Sequence, residues 1–221
     1  MSWGILAGLG AVVGLDSTSF PQAMLSRPLV AGAATGLLFG RPVEGALFGA
    51  ILEVFDLSSL PIGAARYPEA GTATVGGVGA LMLAGPEAGF TAIVLMVLFT
   101  LVWERVGGAS VVAARHVSQR IVGDGSSGGA RSIELRHVAA MGVDLLRGAL
   151  VSLVGAAVGI ALLRVWPATE PRVAEAALRV ILVGGAAVLG AALAIFGGWS
   201  DRRWTFLAGL ACGSILLVIA R

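Results

Sequence analysis

The stretch Pro42-Val43-Glu44-Gly45-Ala46-Leu47-Phe48-Gly49-Ala50-Ile51-Leu52-Glu53-Val54-Phe55 decides what kind of molecule this chain forms. It is a glycine-bearing apolar run with a carboxylate near its end. In a chain that sits in lipid, an acid at that place is costly and marks a polar site at membrane depth. Beyond it, Pro61-Ile62-Gly63-Ala64-Ala65 and Pro68-Glu69-Ala70 break any helix with prolines and small residues. Backbone freed in this way survives in a membrane only where it is buried in protein or lines a water-filled cavity. Before it, Ser26-Arg27-Pro28-Leu29-Val30 puts an Arg-Pro pair at the mouth of another apolar segment. Proline is tolerated in the first helical turn, so the pair predicts a helix start. Arg27 can then extend toward the interface.

Composition agrees with a membrane setting. The chain is 57% hydrophobic and 13% charged, with a mean hydropathy of +0.92. A soluble domain carries about twice that charge fraction. The 33 glycines suit close helix packing and broken helices. All 15 basic residues are arginine. A net charge of +2 says little about nucleic acid, and with neither an aromatic-studded basic face nor a DNA-binding motif no nucleic-acid partner is expected. Cys212 is the one cysteine, in an apolar segment, and reads as a small buried hydrophobe. No basic stretch precedes the first apolar run, so no cleaved signal peptide is expected.

Apolar stretches fall at 3–15, 29–40, 43–56, 72–84, 88–103, 138–163, 174–197 and 204–220. The last four approach the roughly 20 residues that a helix needs to cross a bilayer. The early ones are short and interrupted, the pattern of re-entrant hairpins around a midplane site. The expected fold is therefore an all-α polytopic membrane protein, with short broken helices and hairpins first and longer spans later. It divides into a substrate-site membrane domain at 1–103, a cytoplasmic polar loop at 104–137 and a three-span scaffold at 138–221. Small-xxx-small spacings such as Gly32/Gly36/Gly40 and Gly45/Gly49 predict closely approaching backbones.

The stretch 104–137 carries Arg105, Arg115, Arg120, Arg131 and Arg136 and belongs in the cytoplasm by the positive-inside rule. Within it, 109–122 is helix-compatible and Gly123-Asp124-Gly125-Ser126-Ser127-Gly128-Gly129 reads as a linker. That linker also matches G-x-G-x-x-G and G-x-S-x-G, but lacks the strand–helix context either chemistry needs. Asp201-Arg202-Arg203 reads as a short cytoplasmic turn. His116 and His137 lack the company a metal site requires, so no metal or cofactor is expected. His116 reads as a solvated loop residue, and His137 as a residue at a helix start. Trp103, Trp166, Trp199 and Trp204 lie at segment ends, where an aromatic belt forms.

From Asp16 to Ala70 the chain resembles the membrane IIC subunit of the mannose-type (mannose/fructose/sorbose) sugar phosphotransferase system. The resemblance rests on Arg27-Pro28-Leu29, Gly36-Leu37-Leu38-Phe39-Gly40, Leu52-Glu53, Ile62-Gly63-Ala64-Ala65 and Pro68-Glu69-Ala70, in that order. It continues more weakly at His137-Val138 and Arg147. The resemblance implies a permease in the bacterial cytoplasmic membrane, in an oligomeric complex with the membrane subunit IID and soluble IIA and IIB components. A hexose is carried inward, and a partner subunit phosphorylates it; this chain performs no bond-making. The substrate-binding residues it implies are Glu53, Pro61, Gly63, Ala64, Glu69 and Asp16.

Glu53 admits three roles: hydrogen bonding to a sugar, pairing with Arg27 or Arg66, or carrying a proton. A buried carboxylate accepts strong hydrogen bonds from hydroxyls, which suits a neutral sugar. Asp16, ahead of Ser17-Thr18-Ser19, reads either as a helix N-cap or as a ligand group. Two departures stand out: Pro61 replaces a polar Asn, and Arg41 replaces an acid after the Leu-Gly step. They motivate a second possibility, a divergent docking or sensing subunit that no longer transports.

Overall fold

The structure is a computed structural model, which describes residues 2–57, 67–85, 89–123, 129–165, 171–195 and 197–219. Pro61, Gly63, Ala64 and Arg66 lie outside the described residues, as do 124–128 of the linker and Trp166. Among the described residues eight helices follow one another: α1 (Ser2–Thr18), α2 (Pro28–Leu38), α3 (Pro42–Asp56), α4 (Ala70–Ala84), α5 (Phe90–Val122), α6 (Ala130–Val165), α7 (Pro171–Ile195) and α8 (Gly198–Ile219). Among the described residues no strand occurs. The fold is the expected all-α polytopic one. Among the described residues three helices, α5, α6 and most of α7, are long and apolar enough to cross a membrane, whereas α1 to α4 are short.

Two prolines set the N-terminal hairpin. Pro28 and Pro42 each occupy the first turn of their helix behind an arginine, Arg27 and Arg41. The helix start expected at Arg27-Pro28 is therefore present. α2 and α3 pack antiparallel along a glycine seam. A Cβ built on Gly32 would come within 2.5 Å of the Gly45 carbonyl oxygen, and one on Gly49 within 2.3 Å of the Pro28 oxygen. No side chain fits there, so the seam is backbone against backbone. α1 and α6 meet the same way at Gly14 and Gly148.

α4 is the axis of the bundle. It is buried without interruption from Ala70 to Leu81 and consists almost wholly of Gly, Ala, Thr and Val. A helix that is apolar and small all round belongs inside protein. α1, α2 and α6 cover it with Leu6, Val13, Ala31 and Ala156. α3 and α5 cover it with Phe48, Leu52, Met96 and Val97, and α7 adds Ile181 to the same cluster. Its threonines stay satisfied in this dry setting: Thr74 donates to the Ala70 carbonyl at 2.7 Å, and Thr100 on α5 does the same to Met96.

Several expectations need correction. Most of 104–137 is helix: α5 continues through Glu104 to Val122, and α6 already starts at Ala130. His137 therefore lies inside α6, exposed, and not at a helix start. Asp201-Arg202-Arg203 is no turn but the beginning of α8; the break from α7 falls at Gly197 and Gly198, both at positive φ. Trp103 packs between helices. Its indole N–H donates to the Val151 carbonyl at 3.0 Å, and its ring lies against Gly155, joining α5 to α6. Asp16 is in the last turn of α1 and caps no helix N-terminus.

Candidate functional site

The polar residues gather at one end of the bundle, where α1 and α3 finish and α2 and α4 begin. Residues 67–69 lead into α4 pressed against α5. Gly107 and Gly108 allow this: a Cβ on Gly108 would come within 2.3 Å of the Tyr67 oxygen. The Glu69 backbone N–H donates to the Glu104 carbonyl at 3.0 Å, fixing the approach.

Glu69 is 1% exposed. Its Oε1 accepts from Ser17 Oγ at 3.0 Å, and its Oε2 accepts from Thr72 Oγ1. Arg147 of α6 completes the cluster. Its Nη2 donates to the Gly14 carbonyl at 2.9 Å and to Ser17 Oγ at 3.3 Å. Its Nη1 lies 3.5 Å from Glu69 Oε2, and its Nε lies 3.7 Å from Asp144 Oδ1. These two nitrogens are in ion-pair range but make no hydrogen bond. Asp144 also accepts from Ser19 Oγ. A buried charge is tolerable only when paired, so Glu69 and Arg147 depend on each other.

The second group centres on Arg27. Its Nε donates to Glu53 Oε1 at 2.7 Å, its Nη2 bonds the same oxygen, and its Nη1 is 3.3 Å from Asp56 Oδ2. Glu53 Oε2 accepts from the Leu29 N–H at 3.2 Å, satisfying one of the free amides of the first turn of α2. Arg27, one of the two arginines that the sequence offers Glu53, holds it, and Arg66 lies outside the described residues. Asp16 pins the connection between α1 and α2, accepting the Ala23 N–H at 2.6 Å and the Ser26 N–H at 2.9 Å.

Between the two groups lies a cavity of about 110 Å³, lined by Ser17, Arg27, Asp56, Tyr67 and Glu69. It adjoins a wider one of about 390 Å³ that shares Ser17, Ser26, Arg27 and Tyr67 and adds Asp16, Thr18, Gln22 and Arg115. Glu69 and Asp16 thus border these spaces directly, while Glu53 acts on them through Arg27. The arrangement presents carboxylates, hydroxyls and guanidinium groups to a polar guest at the end of an apolar bundle. Among the described residues no group of three or more His, Cys, Asp or Glu is placed to hold a metal ion.

Sequence reasoning gave no role to two residues here. Arg147 was legible only as part of the weaker resemblance. Glu104 counted as part of the polar stretch, yet it is 5% exposed and its Oε1 has no hydrogen-bond partner among the described residues. Its signal was its position, directly after the apolar run 88–103. Arg41, the departure from the expected acid, pairs with Glu44. It borders a separate apolar groove of about 470 Å³ between α3, α4 and α5, away from the polar cavities.

This architecture defines a class: an all-α membrane protein whose short first helices enclose a buried polar cluster. The sequence profile described as "PTS system sorbose-specific iic component" matches residues 2–209, and the chain belongs to that family. The PTS system sorbose-specific EIIC component of Klebsiella pneumoniae is 30% identical over 153 residues, covering 67% of this chain and 53% of that protein. The chain thus spans about half the length of the curated relative it matches. A solved structure described as a membrane protein superposes with a TM-score of 0.78 at 16% identity, over 99% of this chain and 93% of that one. It shares the fold. A mannose transporter in complex with microcin E492 superposes more loosely, with a TM-score of 0.47 at 20% identity, over 99% and 92% of the two chains.

Proposed function

We propose that this chain is the sugar-translocating IIC subunit of a mannose-type phosphotransferase system. It works in the bacterial cytoplasmic membrane, in an oligomeric complex with IID and the soluble IIA and IIB components. It carries a hexose inward, and a partner subunit phosphorylates the sugar; the chain itself makes and breaks no bond. The observation that carries this reading is the Glu69–Arg147 cluster beneath the polar cavities. Paired charges are expensive to bury, and a hydroxyl-rich guest gives a reason to keep them at that depth.

Glu69 and Ser17 face the smaller cavity and are the groups best placed to bond sugar hydroxyls. Asp16 borders the wider one, with both carboxylate oxygens already engaged by backbone amides. Glu53 orients Arg27, which lines both. Pro61, Gly63 and Ala64 are the further sugar contacts that the family resemblance implies, and they lie outside the described residues. Arg41 takes no space in either polar cavity, so it gives no support to a degenerate, non-transporting subunit.

Uptake of labelled hexoses in cells expressing the chain with its partners tests the proposal. Glu69→Gln should abolish uptake, and Glu53→Gln should weaken apparent affinity. Unchanged uptake and affinity in both, at equal membrane abundance, rejects the site and the transport reading with it.

A further inference from the structure

The wider cavity contains a cation that sugar recognition leaves unused. Arg115 projects from the polar part of α5, with its guanidinium carbon 5.7 Å from the centroid of the Tyr67 ring. An arginine held over an aromatic face is pre-oriented, with its N–H edge directed outward. Among the described residues Arg115 forms no ion pair. The other charges on the same walls are committed: Arg27 to Glu53 and Asp56, and Asp16 to two backbone amides. The cavity is therefore left with one half-buried, uncommitted guanidinium, next to Gln22 and Ser26.

We propose that this cavity is a phosphoryl subsite, in which Arg115 receives the oxyanion of a sugar phosphate before the product leaves. The inference rests on the transport reading above and extends it. A guanidinium matches a phosphate monoester through two parallel charge-assisted hydrogen bonds, whereas a neutral hexose needs no cation. Its place also fits. Arg115 is farther along α5 than Glu69's neighbours Glu104 and Gly107, so a ligand seated at Glu69 would direct an attached phosphate toward it. Arg115 holds the phosphate by charge and hydrogen bonds and takes no covalent part in its transfer.

Tyr67 supplies the readout, because it is the only tyrosine of the chain. The full chain, labelled with ring-¹³C tyrosine and placed in phosphatidylcholine nanodiscs, gives one signal. Inorganic phosphate and mannose 6-phosphate, titrated at constant ionic strength set with chloride, should shift that signal saturably. Arg115→Gln should weaken both responses by roughly tenfold or more, the scale of one lost charge-assisted hydrogen bond. Arg115→Lys should retain part of them, and Arg120→Gln all of them. If Arg115→Gln fails to assemble, the lysine variant decides: a point charge without the fork should bind phosphate measurably more weakly.

An equal response in wild type and Arg115→Gln overturns the subsite. So does a signal already shifted in nanodiscs containing phosphatidylglycerol and no longer moved by phosphate, which would assign the occupant to a lipid headgroup. Mannose alone separates the two readings. Phosphate binding without mannose binding leaves the subsite standing and removes the transport reading. Mannose binding without a phosphate response does the reverse.

Discussion

Two acid–arginine groups face one cavity from opposite walls, and they are built for different surroundings. In the Glu69–Arg147 pair the side chains are 1% and 5% exposed; in the Glu53–Arg27 pair they are 22% and 34% exposed. The first is buried among α1, α4 and α6, and its arginine is only partly hydrogen-bonded. The second is bonded through two nitrogens, capped onto the start of α2, and within reach of solvent. Burial makes the first pair costly to disturb. Geometry gives the second its order, while solvent limits what its loss can cost. The lesson is that the apparent quality of an ion pair and its energetic weight can run in opposite directions.

Breaking the comparison starts with Arg147. Arg147→Met removes the counter-charge of the buried Glu69 and should cost about 3–5 kcal/mol. The purified protein should melt well below wild type in a detergent thermal scan, and uptake should be lost. A melting curve like that of wild type would mean the pair is not buried as described. Next comes backbone clearance. Gly108→Ala puts a methyl group against the Tyr67 carbonyl and should cost about 1–3 kcal/mol as the 67–69 segment is pushed away. Uptake should fall more than stability does, because Glu69 is displaced with that segment.

A smaller effect is expected at Ser152, whose hydroxyl donates to the Thr72 carbonyl at 3.0 Å in the core between α4 and α6. Ser152→Ala should cost about 1 kcal/mol, the usual net worth of a hydrogen bond. The smallest is on the exposed wall. Glu53→Gln should lower stability by no more than about 1 kcal/mol, as for other half-exposed pairs. That effect should shrink further as salt is raised, whereas the loss in Arg147→Met should not. A Glu53→Gln penalty as large and as salt-insensitive as that of Arg147→Met would erase the distinction between the two walls.

Much of the architecture was legible because it depends on local rules. Arg27-Pro28 announced a helix start, glycine spacing announced the α2–α3 seam, and the short apolar runs became the short helices. The pairing of Glu53 with Arg27 was one of the roles its sequence left open. What escaped notice depends on which helices meet in space. Arg147 and Glu104 acquire meaning only when α5 and α6 pack against the start of α4, far away in sequence. In the polar run 104–137 only 109–122 was read as helix-compatible, and the helix over 104–108 and from Ala130 escaped because hydropathy reports the solvent around a segment, not its backbone. A helix that leaves the lipid remains a helix as long as its residues favour one. Asp16 was read from the Ser/Thr cluster after it, though the glycine-rich helix before it already claimed the residue. Glu53 stood out first for its apolar neighbourhood, yet Glu69, after a proline and short of neighbours to advertise it, is the more deeply enclosed acid.

The bare seam between α2 and α3 has a mechanical meaning. Two helices in contact through their main chains leave no layer of side chains to shear, so the hairpin is a stiff two-rod unit. Near the end of α3, the ring of Phe55 lies over Gly184 and Gly185 of α7. There a flat ring meets two residues without side chains, so this stiff unit can lie close against α7.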